Sequence, residues 1–135
     1  MLTQKHGFSL LELMIALAIV SILTALSLPV YSTHLAHEKR LEAEITLAQL
    51  ANALEQYYLA NNTYQNATLN NLGFSDVIAH SRYQLAIQTA NSASFTLTAT
   101  PLDKQAIEDS ECGVLILNSS GEKNISGRNT MTDCW

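Results

Sequence analysis

The sequence predicts an α+β fold, in which one long N-terminal helix lays its second half against a three- or four-stranded antiparallel sheet. Three observations predict it. The first is an apolar run, Phe8–Val30, that holds a single charged side chain, Glu12. The second is a stretch without Gly or Pro, Ser32–Ala60, in which Leu47, Leu50, Ala51, Leu54, Tyr57 and Tyr58 recur at three- and four-residue steps. That spacing marks one face of an amphipathic helix. The third is a pair of alternating runs, Tyr83–Ala90 and Phe95–Thr100, around the turn residues Asn91-Ser92, which together read as an antiparallel hairpin.

Taken in order, residues 1–7 form a short polar leader with Lys5, His6 and Gly7 at its end. Residues 8–30 form the apolar segment, rich in Leu, Met, Ala and Ile. At about 1.5 Å per residue, a helix of this length crosses a hydrocarbon core of about 30 Å. A carboxylate in such a segment costs roughly 2.5 kcal/mol near the bilayer centre and less towards the interface, so Glu12 is expected to be used. Pro29 removes one helical hydrogen bond and is expected to kink the axis. Residues 31–135 form the exported head, starting with the amphipathic half of the helix. Leu41, Ile45 and Ala48 make a second, shorter apolar row, and Arg40 and Glu44 are one turn apart and can pair. Thr63–His80 reads as a surface loop. After the hairpin, which ends at Pro101, Leu102–Glu111 reads as an acidic connection. Val114–Leu117 reads as a third strand, Lys123–Ser126 as a short fourth, and Gly127–Trp135 as an irregular tail.

A chain of 135 residues has the length of one domain, with enough polar sequence after the apolar run for one modest core. Its formal charge is -5, and a cut after Gly7 leaves six basic against twelve acidic side chains, or -6. That balance argues against a large phosphate-binding face and so against nucleic acid as a general partner. Two cysteines, Cys112 and Cys134, downstream of an export-type segment suggest a disulfide in an oxidising compartment. On the chain-entropy account it stabilises the C-terminal loop by roughly 3 kcal/mol.

No catalytic set and no cofactor motif is legible. No Ser or Cys has a plausible base beside it, and no Gly-rich phosphate loop is present. His34 and His37 make at most half a metal site. Asp103, Glu108, Asp109 and Glu111 fit no EF-hand spacing and read as a solvated acidic loop. Tyr57, Tyr58 and Tyr64 read as packing at the helix–sheet junction in preference to a base-stacking platform. Asn61, Asn66, Asn118 and Asn124 begin Asn-x-Ser/Thr triplets, expected by chance in a chain so rich in these residues. The rival reading of the N-terminus is an ordinary signal peptide cut near Ala25 and Ser27, ahead of a secreted binding module. Glu12 and the unbroken run to Val30 count against it. A plain membrane anchor meets the same difficulty at Glu12.

The opening stretch is similar to the processing signature of type IV prepilins: a basic leader, Gly7, Phe8, and Glu12 at the head of an apolar helix. Phe95–Pro101, Cys112-Gly113 and Cys134-Trp135 resemble PilE-type minor pilins of Gram-negative bacteria. The resemblance implies the pilin fold and a structural protein, not an enzyme. It implies cleavage between Gly7 and Phe8 by a prepilin peptidase that also methylates the new Phe8 amine. The subunit then waits in the inner membrane with a periplasmic head, and passes through an assembly platform into an extracellular helical filament. Glu12 engages the Phe8 amine of a neighbouring subunit. Adhesion, twitching motility and competence are the activities implied. A pseudopilin of type II secretion and a minor pilin specialised for DNA uptake remain as alternatives.

Overall fold

The structure is a computed structural model and describes residues 7–135; the leader residues before Gly7, Lys5 among them, lie outside the described residues. Helix α1 covers Leu10–Asn61. Internal contacts divide the chain into two units, one ending at His34 and one of Leu35–Trp135.

In the first unit the helix presents apolar side chains on every face, from Phe8 at 82% exposed to Val30 at 70%. It is long and apolar enough to cross a membrane. The hydroxyls along it are satisfied from within. Ser21, Thr24 and Ser27 donate to the carbonyls of Ala18, Val20 and Leu23 at 2.8, 2.7 and 2.7 Å. Such back-bonding hides each hydroxyl where no water is at hand.

In the second unit one helical stripe is buried: Ala36, Arg40, Ala43, Leu47, Leu50 and Leu54. It lies against Tyr83, Leu85, Phe95, Leu97, Ala99, Leu115 and Leu117 from the sheet. Each fully buried Leu or Phe contributes roughly 1.5–3 kcal/mol of hydrophobic stabilisation. The predicted second row behaves differently, with Leu41 48% and Ile45 52% exposed. The helix ends where Asn62 turns left-handed at φ 55° and its N–H bonds the Tyr58 carbonyl at 2.7 Å. Asn tolerates that conformation better than most residues.

The sheet has five antiparallel strands in chain order: β1 (Val77–Ile78), β2 (Tyr83–Ala90), β3 (Phe95–Pro101), β4 (Leu115–Asn118) and β5 (Lys123–Ile125). The sequence predicts three or four. The extra strand, β1, sits in what reads as loop and pairs Val77 with Gln84 and Ile78 with Tyr83. Two residues cannot show a period, so nothing in the pattern announces it. The register also shifts between Ile87 and Thr89. This bulge turns Thr89 away from the face it shares with Ile87 in the sequence pattern, and Thr89 is exposed. Two short helices fill stretches that read as irregular: α2 (Asp103–Glu108) in the acidic connection and α3 (Met131–Cys134) in the tail.

Between β1 and β2, Ala79, His80 and Ser81 are all left-handed, at φ 53°, 55° and 64°. Each costs roughly 1–2 kcal/mol for a residue with a Cβ. Ser81 is exposed. Ser81→Gly is therefore expected to raise the unfolding free energy by about 0.5–1 kcal/mol, after the entropy that Gly adds to the unfolded chain. Urea denaturation of the full chain in detergent measures it, and a lowered midpoint contradicts it.

Candidate functional site

At the N-terminus, Gly7, Phe8 and Ser9 precede α1. A Cβ placed on Gly7 would meet nothing within 4 Å. The Gly7–Phe8 bond lies outside regular structure. The first helical bond runs from Leu13 N–H to the Ser9 carbonyl at 3.1 Å. Glu12 falls in the first turn, beside N–H groups that have no partner within the helix. Their partial positive charge favours a carboxylate there by roughly 0.3–1 kcal/mol. Ser9 and Glu12 also have the Ser-x-x-Glu spacing of a capping box. Pro29 lies inside α1. Its carbonyl accepts hydroxyl bonds from Ser32 and Thr33 at 3.0 and 3.1 Å.

The head contains a polar cluster that sequence reasoning misses. Arg40 is buried on the sheet-facing stripe and pairs with Asp109 from the turn after α2. Its guanidinium also donates to the Asp133 carbonyl at 3.2 Å and to His37 Nδ1 at 2.8 Å. The expected partner, Glu44, stands 3.9 Å from Arg40 Nε, an atom with no hydrogen bond. Asp109 accepts from the Tyr83 hydroxyl at 3.1 Å. The fully buried Gln105 donates to the Ala36 carbonyl at 2.8 Å and to the Tyr83 hydroxyl at 3.1 Å. Burial first, and the Asp109 charge second, push the Tyr83 hydroxyl well above the usual range. Burial likewise raises the Glu44 carboxyl, against the pull of Arg40 and Lys123.

The solvated acidic loop is therefore corrected at Asp109, which is 8% exposed. Gln105 on α2 and Asp109 at its C-cap are four residues apart, so one polar face turns inward to meet Arg40. Only the partner's position across the fold distinguishes that face from a solvated one. The tyrosines serve packing: Tyr58 stacks on Tyr64 at 4.7 Å, and Tyr64 meets Phe95 edge-on at 5.0 Å. Tyr57 bonds the Gln65 carbonyl at 3.1 Å. His37 accepts from Arg40 at 2.8 Å, and His34 is the last residue of the first unit.

The C-terminal loop is closed by the Cys112–Cys134 disulfide. Gly127 lies so close to the strand start that a Cβ there would fall 2.0 Å from the Glu111 carbonyl oxygen. Gly127 N–H bonds the Cys112 carbonyl at 3.0 Å, and the Trp135 indole donates to the Asn124 carbonyl at 3.0 Å. Loss of the disulfide by Cys134→Ser is expected to lower stability by roughly 2–4 kcal/mol and to open residues 113–133 to limited proteolysis. Unchanged cleavage there would show that Gly127 and Trp135 hold the loop without it.

Comparison with known proteins agrees with this arrangement. The chain matches the family described as type IV minor pilin ComP, DNA uptake sequence receptor, over residues 29–116. It also matches the prokaryotic N-terminal methylation motif over residues 2–28. It is 35% identical over 94 residues to the type IV wide pilus major component PilA4 of Thermus thermophilus, covering 66% of this chain and 70% of that one. It is 42% identical over 57 residues to the type IV major pilin protein PilE1 of Neisseria gonorrhoeae, covering 42% of this chain. The chain spans about a third of that relative's length, at 34%. In fold it is similar to the Neisseria meningitidis non-core minor pilin PilV, with a TM-score of 0.51 and 24% identity over 73% of this chain and 95% of that one. With a methylation motif that runs through the apolar start of α1, and a disulfide-closed head on an antiparallel sheet, this chain belongs to the type IV pilin family.

Proposed function

We propose that the protein is a minor subunit of a type IV pilus. Residues 1–7 are its leader, 8–30 its membrane and assembly helix, and 31–135 its exported head. A prepilin peptidase cuts between Gly7 and Phe8 and methylates the Phe8 amine. The subunit waits in the inner membrane, held by lipid around Phe8–Val30, and joins other pilin subunits through an assembly platform. Glu12 then accepts the Phe8 ammonium of a neighbour. Each charge is costly alone in an apolar bundle and tolerable as a pair. Pro29 lets the helix bend between span and head. The observation that carries this reading is the lone carboxylate in the first turn of α1, the single charge in Phe8–Val30 and four residues after the proposed new terminus. Intact mass and N-terminal sequencing of the mature protein test it. A chain starting at N-methyl-Phe8 is expected, and one starting near Leu28 would sink the proposal in favour of an ordinary signal peptide.

A second reading, DNA capture for uptake, is favoured by the ComP match over the head. Against a broad DNA face, Lys39, Arg40 and Arg82 are spent on Glu42, Asp109 and Glu108. Lys104, Lys123 and Arg128 remain for phosphates, enough for a log-affinity slope against log salt of about -3 at most. A mobility-shift assay with duplex DNA at two salt concentrations distinguishes the readings. Absence of a shift at low salt removes DNA capture and leaves the filament role standing.

A further inference from the structure

One buried side chain touches the segments that carry both cysteines. Cys112 follows the turn after α2, and its N–H and that of Gly113 both donate to the Asp109 carbonyl at 3.1 Å. Cys134 ends α3, next to Asp133. The Arg40 guanidinium pairs with the Asp109 carboxylate through Nη1 and donates to the Asp133 carbonyl at 3.2 Å through Nη2. One planar fork on α1 thus holds the chain just before each cysteine. Arg40, Cys112 and Cys134 are all buried.

The cysteines are 22 residues apart in the chain, and the other ties across this region act elsewhere. The Gly127 and Asn129 N–H groups hold the middle of the loop to the Cys112 and Glu111 carbonyls at 3.0 and 2.9 Å. The Trp135 indole ties the far side of Cys134 to Asn124 of β5. Among the described residues, Arg40 is the one side chain whose polar contacts join the residues before both cysteines. A buried ion pair adds little net stability over an apolar pair, so stability alone does not account for a guanidinium here. Its geometry does, because five N–H donors in a fixed fork can hold two acceptors at once, which a lysine ammonium on its flexible stem does less well.

We propose that Arg40 is the positioning residue for closure of the Cys112–Cys134 disulfide, its fork holding the two thiols together in the folded, reduced head before oxidation. Closure takes two exchange steps. One cysteine thiolate attacks a sulfur of an external disulfide, forming a mixed disulfide and releasing one external thiolate. The second cysteine thiolate attacks the protein sulfur of that mixed disulfide, the internal bond forms, and the second external thiolate leaves. Two electrons pass from the protein to the oxidant, and the two released thiols take up the two protons the cysteines lose. The second step is intramolecular, so the effective concentration of one cysteine at the other governs it. A flexible loop supplies only a millimolar value. The proposal does not depend on the filament reading.

To test it, the full-length chain in detergent is equilibrated with reduced and oxidised glutathione, quenched by alkylation, and its closed fraction read by mass. The ratio of closed to open chain gives the effective concentration. We expect the wild type to lie well above the millimolar range. The double variant Arg40→Met with Asp109→Leu keeps α1 packed on the turn after α2 but lacks the fork. It is expected to fall about tenfold, equivalent to about 1.4 kcal/mol. Arg40→Lys keeps a charge for Asp109 without the fork and is expected to fall as far. Leu54→Val, at the far end of the buried stripe, is expected to stay within about twofold of the wild type. A wild-type value in the millimolar range overturns the proposal, as does a double variant within about twofold of the wild type. Arg40→Lys at the wild-type value overturns the role of the fork, and a tenfold fall in Leu54→Val shows that closure follows general stability and overturns it equally.

Discussion

Asp109→Ala is expected to lower the unfolding free energy of the head by about 3–5 kcal/mol, the largest loss from any single substitution outside the apolar core. The cause is what the change leaves behind. Arg40 is 7% exposed and its charge has no water to turn to. Asp109 is its hydrogen-bonded ion-pair partner, and Glu44, paired at 3.9 Å, makes no hydrogen bond to it. Removing the carboxylate strands the guanidinium, and also strips acceptors from Tyr83 and from Gln105 Nε2, the latter at 3.4 Å. A domain of this size has only about 5–15 kcal/mol to lose. Urea denaturation of the full chain in detergent, followed by Trp135 fluorescence, reads the effect. A loss below about 1 kcal/mol would refute the role given to the pair. The companion variant Arg40→Met with Asp109→Leu is expected to recover most of the loss, because a buried ion pair replaced by apolar side chains is often neutral. The pair thus holds α1 to α2 and the C-terminal loop at one fixed register, and adds little net stability beyond what an apolar pair would give.

Glu12→Ala is expected to leave cleavage, methylation and head folding unchanged while filament content falls at least about a hundredfold. The magnitude follows from the same physics in another place. An ammonium left without its carboxylate in an apolar bundle costs roughly 3–5 kcal/mol, and each 1.4 kcal/mol is about a tenfold change in an equilibrium. The folded head makes no use of Glu12, which is exposed at the far end of the chain from it in sequence. Comparing the membrane fraction with sheared filaments by immunoblot reads the effect, and mass spectrometry of the mature terminus controls for processing. Normal incorporation of the variant into sheared filaments would leave Glu12 without the role proposed for it. The same experiment with Glu12→Gln tests charge apart from size, and is expected to resemble Glu12→Ala.

The elements legible in the sequence are those whose period is long enough to read. Fifty-two helical residues carry one stripe at Leu47, Leu50 and Leu54 that is unmistakable, and the β2–β3 hairpin shows its alternation over seven or eight residues a strand. The apolar run with Glu12 needs no fold to be recognised, since lipid and water impose their demands on composition alone. Val77–Ile78 and α3 are too short to show a period. The bulge at Thr89 leaves no mark, because Thr is at home on either face of a sheet.

Arg40 shows where sequence reasoning reaches its physical limit. Its neighbour Glu44 is one helical turn away and looks like the natural partner, because helical spacing is visible along the chain. Asp109 is 69 residues away and looks like one more acid in a polar connection. Burial reverses that ranking. Glu44 does pair with Arg40, at 3.9 Å and without a hydrogen bond, but once Arg40 faces the core the hydrogen-bonded carboxylate comes from another element, and that choice depends on where α2 lands. The sequence by itself determined what is local or one-dimensional: an apolar helix with one charge, an amphipathic continuation, a hairpin, and two cysteines available to pair. Tertiary structure decided that the second helical row stays half open, which acid is buried, and how the turn after α2 comes to meet Arg40. Those outcomes depend on distances between residues far apart in the chain, which no local pattern encodes.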